Sequence, residues 1–234
     1  MARLGKTEVF QKGVRDALLE HLPEGFVADP ERHPRSVRMT EWGEQDLWVT
    51  LVKGGLLDLR FGVTFSSYSE VHRTFKGPPL PGWLNPRFSM TSSNMRQMKG
   101  LPYPQLFPLT AESDEGFWFC DMGDAPSSIA QRVLGCVQGV VLPFFRRFSS
   151  LQAVRESLVH ADGWLMSERM EKVLLIDIAL NDKAHFKEYI FSNWDNKDFS
   201  DTRDRIAPKL IEKFPAFAYD SLEGRTSGME ATAG

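Results

Sequence analysis

The sequence predicts an α+β fold, an antiparallel β-sheet meander with helices packed on one face, plus a C-terminal helical appendage. Two patterns carry this reading. Leu57, Leu59, Phe61, Val63 and Phe65 alternate with Asp58, Arg60, Gly62 and Thr64, the period of two that a strand with one buried face requires. Phe10, Val14, Ala17, Leu18 and Leu22 recur at three and four residues, the apolar stripe of a helix. With 42% hydrophobic and 25% charged residues among 234, the chain has the composition of an ordinary globular protein that can bury a core without staples.

Taken in order, a first helix is expected from about Thr7 to Leu22, stopped by Pro23 and Gly25. A strand near Val37 to Trp42 leads into Leu47, Val49 and Leu51, which alternate with Trp48, Thr50 and Val52. Lys53-Gly54-Gly55 then permits the positive φ of a tight turn, so this run and Leu57 to Phe65 should pair as a hairpin with one face buried and one wet. Phe117 to Cys120 reads as a short buried strand. Asp124-Ala125-Pro126 opens a helix with an acidic cap and a proline in its first turn. Its buried stripe is Ile129, Val133, Cys136, Val140, Phe144 and Phe148, and Pro143 should end or kink it. Ser149 to Gln152 has the form of a capping box opening another helix. Helices over Ser167 to Leu180, Asp182 to Asn193 and Thr202 to Phe214 complete the chain. The division expected is an α+β domain over 1–162, a helical appendage over 163–222 and a flexible tail over 223–234.

Between Gly77 and Pro108 the texture changes. Seven prolines in 32 residues preclude regular helix, so a long loop is expected. From Val71 to Ala111 there is no carboxylate side chain, while His72, Arg73, Lys76, Arg87, Arg96 and Lys99 are basic. Aromatic anchors beside arginines are the residue types that concentrate binding energy at protein interfaces. Trp83, Arg87, Arg96 and Tyr103 are therefore the candidate binding residues.

Three segments, namely Leu22-Pro23-Glu24-Gly25-Phe26, Asp58 to Val63, and Val140 to Leu151 with its interrupting proline, together resemble the DUF4304 family of bacterial domains. The resemblance covers roughly residues 7–159. It implies an α+β domain with an antiparallel sheet and helices on one face, and brings no activity with it.

The remaining constellations read as structure. Gly5-Lys6-Thr7 lacks the first glycine and leading strand of a phosphate loop and reads as a helix start. Asp195 to Asp201 has lysine and serine where a calcium loop needs an oxygen ligand and glycine, and reads as a linker. His185 and Glu188 read as an exposed helix pair, without a third donor for a metal. Arg146 and Arg147 suit a helix C-terminus. No catalytic residue, cofactor or metal site is assigned. Twenty-eight basic against 31 acidic residues give a charge of −3 and a pI near 6.0, which argues against nucleic acid and an anionic membrane as partners. Neither the N-terminal residues nor the apolar run from Val133 to Phe145 has the form of a signal or a membrane span. Two cysteines without a Cys-x-x-Cys spacing suit a reducing cytoplasm. The reading that follows is a non-catalytic domain that binds another protein, with the immunity or antagonist partner of a toxin as its narrower form by fold-level analogy. The alternative is a small-ligand-binding or enzymatic domain with a pocket between the sheet and the proline-rich loop.

Overall fold

The computed structural model describes residues 5–52, 55–77, 87–91, 118–160 and 169–218. The sheet contains β1 (Val27–Ala28), β2 (Arg35–Thr40), β3 (Gly43–Val52), β4 (Leu56–Phe65), β5 (Phe88–Thr91) and β6 (Trp118–Phe119). The first five lie in chain order, each antiparallel to the next, and β6 joins β5 along the outer edge of β4. The β3–β4 hairpin is the longest pairing, in the register Leu47↔Phe61 and Val49↔Leu59. That register puts the alternating apolar residues of both strands on one face, where Leu47, Val49, Leu57, Leu59, Phe61 and Val63 are enclosed. Gly55 closes the hairpin with a φ of 76°, and a side chain there would meet the Cys120 carbonyl at 2.7 Å. The Cys120 N–H in turn donates to Gly55 O at 2.8 Å, binding the end of β6 to the turn.

Helices cover the apolar face. α1 (Lys6–Leu19) begins where the Gly5 N–H donates to Glu8 Oε2 at 2.8 Å, and buries Phe10, Val14 and Leu18. α2 (Ser66–Lys76) follows β4 directly and places Tyr68 against Phe88 of β5, with ring centroids 4.9 Å apart. α3 runs from Pro126 to Arg147 without ending at Pro143. A π-helical turn over Val137–Val141 precedes the proline, and the Leu142 N–H donates to Val137 O, five residues back. This wider turn accommodates a residue that lacks an N–H and crowds the preceding carbonyls, so the expected break becomes a bulge. The same arrangement recurs before Pro208, where a π turn over Thr202–Ile206 leads into α7 (Ala207–Lys213). α3 is apolar and long enough to cross a membrane by composition, but it spends Ile129, Val133, Cys136 and Val140 on the core.

Behind α3 come α4 (Leu151–Val159), α5 (Arg169–Ala179) and α6 (Lys183–Ser192). One hydrophobic cluster runs from the sheet through α3 and α4 into Val173, Leu174, Ile176 and Ile190 of α5 and α6. Several sequence expectations are corrected in detail. Ala125, not Asp124, is the N-cap of α3, because the Asp124 carboxylate instead accepts from the Asp121 N–H at 3.0 Å. Ser150 caps α4 through Ala153 N–H at 3.2 Å, while Gln152 turns to Glu156 and Arg155. The segment expected as one long loop contains β5, which falls in the stretch between Pro86 and Pro102 that no proline interrupts.

Candidate functional site

The second face of the sheet carries Arg35, Val37 and Met39 from β2, Glu44, Asp46, Trp48 and Thr50 from β3, and Arg60, Gly62 and Thr64 from β4. The registers Arg35↔Trp48, Asp46↔Gly62 and Trp48↔Arg60 set these residues side by side. The alternation predicts a simply wet face, yet its centre is enclosed. Asp46 is 3% exposed, and Arg35 and Asp29 are buried beside it. Arg35 donates through Nη1 to Asp29 at 2.7 Å, through Nη2 to Asp46 at 3.1 Å, and also to Glu44. Arg87 donates to the other oxygen of Asp46, and Trp48 Nε1 donates to Asp46 Oδ2 at 3.2 Å. Charges leave water here because each has charged partners, the condition under which buried ions persist.

The electrostatics follow from that enclosure. Burial pushes the Asp46 carboxyl up, against the pull of Arg87 and Arg35. Burial likewise draws Arg87 down, with Asp46 opposing it. Asp29 also suffers burial, but Arg35 and the backbone N–H groups of Glu31 and Arg32 outweigh it and hold Asp29 below the usual carboxylate range.

Trp48 sits over this floor as a fixed platform. The guanidiniums of Arg35, Arg32 and Arg87 lie 5.5, 5.8 and 5.9 Å from its ring centroid, within cation–π range. Arg60 is its cross-strand neighbour and is exposed. On the same face Met39 is 71% exposed and Val27, the cross-strand neighbour of Val37, is 58% exposed.

Of the residues the sequence nominates for binding, Arg87 lies on this face and is clamped to Asp46, so its charge is matched within the chain. Trp83, Arg96 and Tyr103 lie outside the described residues. Trp48, Met39, Arg35 and Asp46 are missed by sequence reasoning. The alternation of β3 does place Trp48 on the polar side, and a tryptophan at a position expected to be wet was the available signal.

A second charged cluster joins three helices. Arg155 of α4 donates to Asp177 of α5 and to Asp182, the N-cap of α6, both at 2.7 Å. His185 Nδ1 lies 2.8 and 2.9 Å from the two oxygens of Asp177, and His185 stacks on Tyr189. With Asp177 ionised, Nδ1 is the donor of this pair, because a carboxylate only accepts. His185 is thus not half of an exposed pair with Glu188, since it reaches inward to a carboxylate with no exposure at all. Burial pushes Asp177 up against the pull of His185 and Arg155. The Arg155 hydrogen bond, followed by that of the His185 N–H, lowers Asp182. The geometry is that of a clamp across α4, α5 and α6.

Among the described residues no three His, Cys, Asp or Glu side chains group closely enough to hold a metal ion. Both cysteines are free, and burial pushes the Cys136 thiol up to about 12. No family model, curated protein or solved structure matches this chain.

Proposed function

We propose that the chain is a non-catalytic protein-recognition domain that docks its partner on the second face of the sheet, around Trp48, Met39 and Arg60. The observation that carries the reading is an indole held in place from below by Asp46, with exposed Met39 and Val27 on the same face and arginines around its ring. Tryptophan, arginine and methionine are enriched at interface centres, and a pre-positioned aromatic loses little freedom on binding. A reducing cytoplasmic setting suits the two free cysteines. Antagonism of a toxin is the narrower form of the proposal, and a toxin-like reading frame found beside the gene would support it. A photo-crosslinking residue at position 39 tests the docking face in cells of the source organism. A discrete protein adduct at position 39, absent when the same residue replaces Glu156 on α4, is the expected result. Equal adducts from both positions, or none, overturn it.

A further inference from the structure

His185 is held more tightly than a clamp requires. Arg155 alone ties α4 to α5 and α6, through Asp177 and Asp182. The imidazole is fixed as well. Both oxygens of Asp177 lie at 2.8 and 2.9 Å from Nδ1, Tyr189 stacks on the ring with the two planes 16° apart, and the His185 backbone N–H donates to Asp182 at 3.1 Å. An Nδ1–H given to a carboxylate leaves the lone pair of the ring on Nε2. Among the described residues Nε2 has no hydrogen-bond partner. The side chain is 27% exposed while that of Asp177 is fully enclosed, so solvent reaches the ring from the side away from Asp177, where Nε2 lies. We propose that His185 is a phosphorylation site, its Nε2 taking a phosphoryl group from an acyl phosphate.

The step balances without a further group. The Nε2 lone pair forms a bond to phosphorus, the bond from phosphorus to the acyl oxygen breaks, and a carboxylate leaves with that electron pair. Nδ1 keeps its proton, and the ring ends as a cation carrying the phosphoryl group. Asp177 meets that cation at hydrogen-bond distance. Asp177 and Asp182 both take a charged hydrogen bond from Arg155, so a cation at 185 balances the second carboxylate. An oriented imidazole backed by a carboxylate is the arrangement that makes histidine reactive. Phosphoryl acceptance asks for little else from the chain, because the donor carries its own activation. Hydrolysis would also ask for a held substrate and for donors to the developing oxyanion. His185 belongs to the helical layer, so this site is separate from the docking face of the sheet.

The test incubates the full-length protein with acetyl phosphate and maps the label by mass spectrometry at neutral pH, with phosphorus-coupled nitrogen NMR to identify the nitrogen. Label on Nε2 of His185 is expected, at a rate at least roughly tenfold above that of His21, His33, His72 or His160. His185→Gln should remove it, and Asp177→Asn should slow it roughly tenfold, with the folding of both variants checked by thermal melt. Label spread evenly over the histidines, on Nδ1 of His185, or absent overturns the proposal. So does an acetyl group on Nε2 in place of the phosphoryl group. A folded Asp177→Asn labelled as fast as wild type overturns the part given to Asp177. The wild-type pattern decides the proposal even where Asp177→Asn fails to fold.

Discussion

The guanidinium of Arg87 reaches the carboxylate of Asp46 by passing over Gly62, the β4 position whose missing side chain gives it room. A Cβ at Gly62 would lie 2.5 Å from Arg87 Nε and 2.8 Å from the Phe88 carbonyl. A glycine in mid-strand normally weakens a sheet. Here it permits a side chain from the edge of the sheet to lie across it.

Gly62→Ala is expected to destabilise by about 1–3 kcal/mol through overpacking, and further to the extent that Arg87 leaves Asp46. Urea melts of Gly62→Ala, Arg87→Ala and the double variant check the mechanism. The two costs should fall short of adding, because once Arg87 is gone the methyl group no longer collides with it. Strict additivity contradicts the account.

Asp46→Ala leaves the buried guanidinium of Arg35 and the half-buried one of Arg87 without their shared acceptor, and is expected to cost about 3–5 kcal/mol. Arg60→Ala, two residues from Gly62 but exposed, should cost under about 1 kcal/mol. Phe61→Ala removes a ring that packs edge-on to Phe144 at 5.1 Å and should cost about 3–5 kcal/mol. Equal losses for Phe61 and Arg60 in denaturant melts would deny the two-faced sheet.

Residue by residue, legibility followed the range of the interaction. The apolar face of β4, the stripe of α1 and the helices after residue 168 were readable, because each depends on periodicity or on neighbours a few positions away. The enclosed centre of the other face was not. Asp46 is satisfied by Arg35 and by Arg87, 41 positions on, and no local pattern announces such a pairing. α2 was missed because it continues straight out of β4, with Tyr68, Val71 and Phe75 spaced among serines and charges. At Pro143 the proline rule held locally, but a π turn absorbed what the rule treats as a break. His185 looked paired with Glu188 because helical spacing is visible in a sequence and a contact with Asp177 on another helix is not.

The α4–α5–α6 clamp has a pH signature. Asp182 is held below its ordinary value of 3.8 in the folded protein, so its contribution is complete above that pH. As pH falls past it, the unfolded chain takes up the proton first and the contribution is lost. Asp182→Ala is expected to cost about 0.5–2 kcal/mol near neutrality, from the lost cap. It should also flatten the decline in stability below about pH 4. Chemical melts across acid pH show whether wild type and variant converge there. Parallel curves would mean that Asp182 is not held by Arg155.

Cys136 is fully enclosed on α3 and its thiol is pushed up to about 12, whereas Cys120 is half-buried at the end of β6. In the native protein an alkylating reagent should mark Cys120 well before Cys136, since the thiolate is the reactive form. Mass spectrometry of the labelled peptides reads this directly. Fast labelling of Cys136 would show that α3 opens from the core.

The most direct test of the docking face pairs a melting temperature with a capture yield for Met39→Asp. The side chain is 71% exposed, so the folded core should not notice the change. Melting should stay within about a degree or two of wild type, as for other surface substitutions. Capture of the protein crosslinked through position 39 should fall at least roughly tenfold, because a buried charge then faces the partner. Unchanged capture at an unchanged melting temperature would contradict the assignment of this face to recognition.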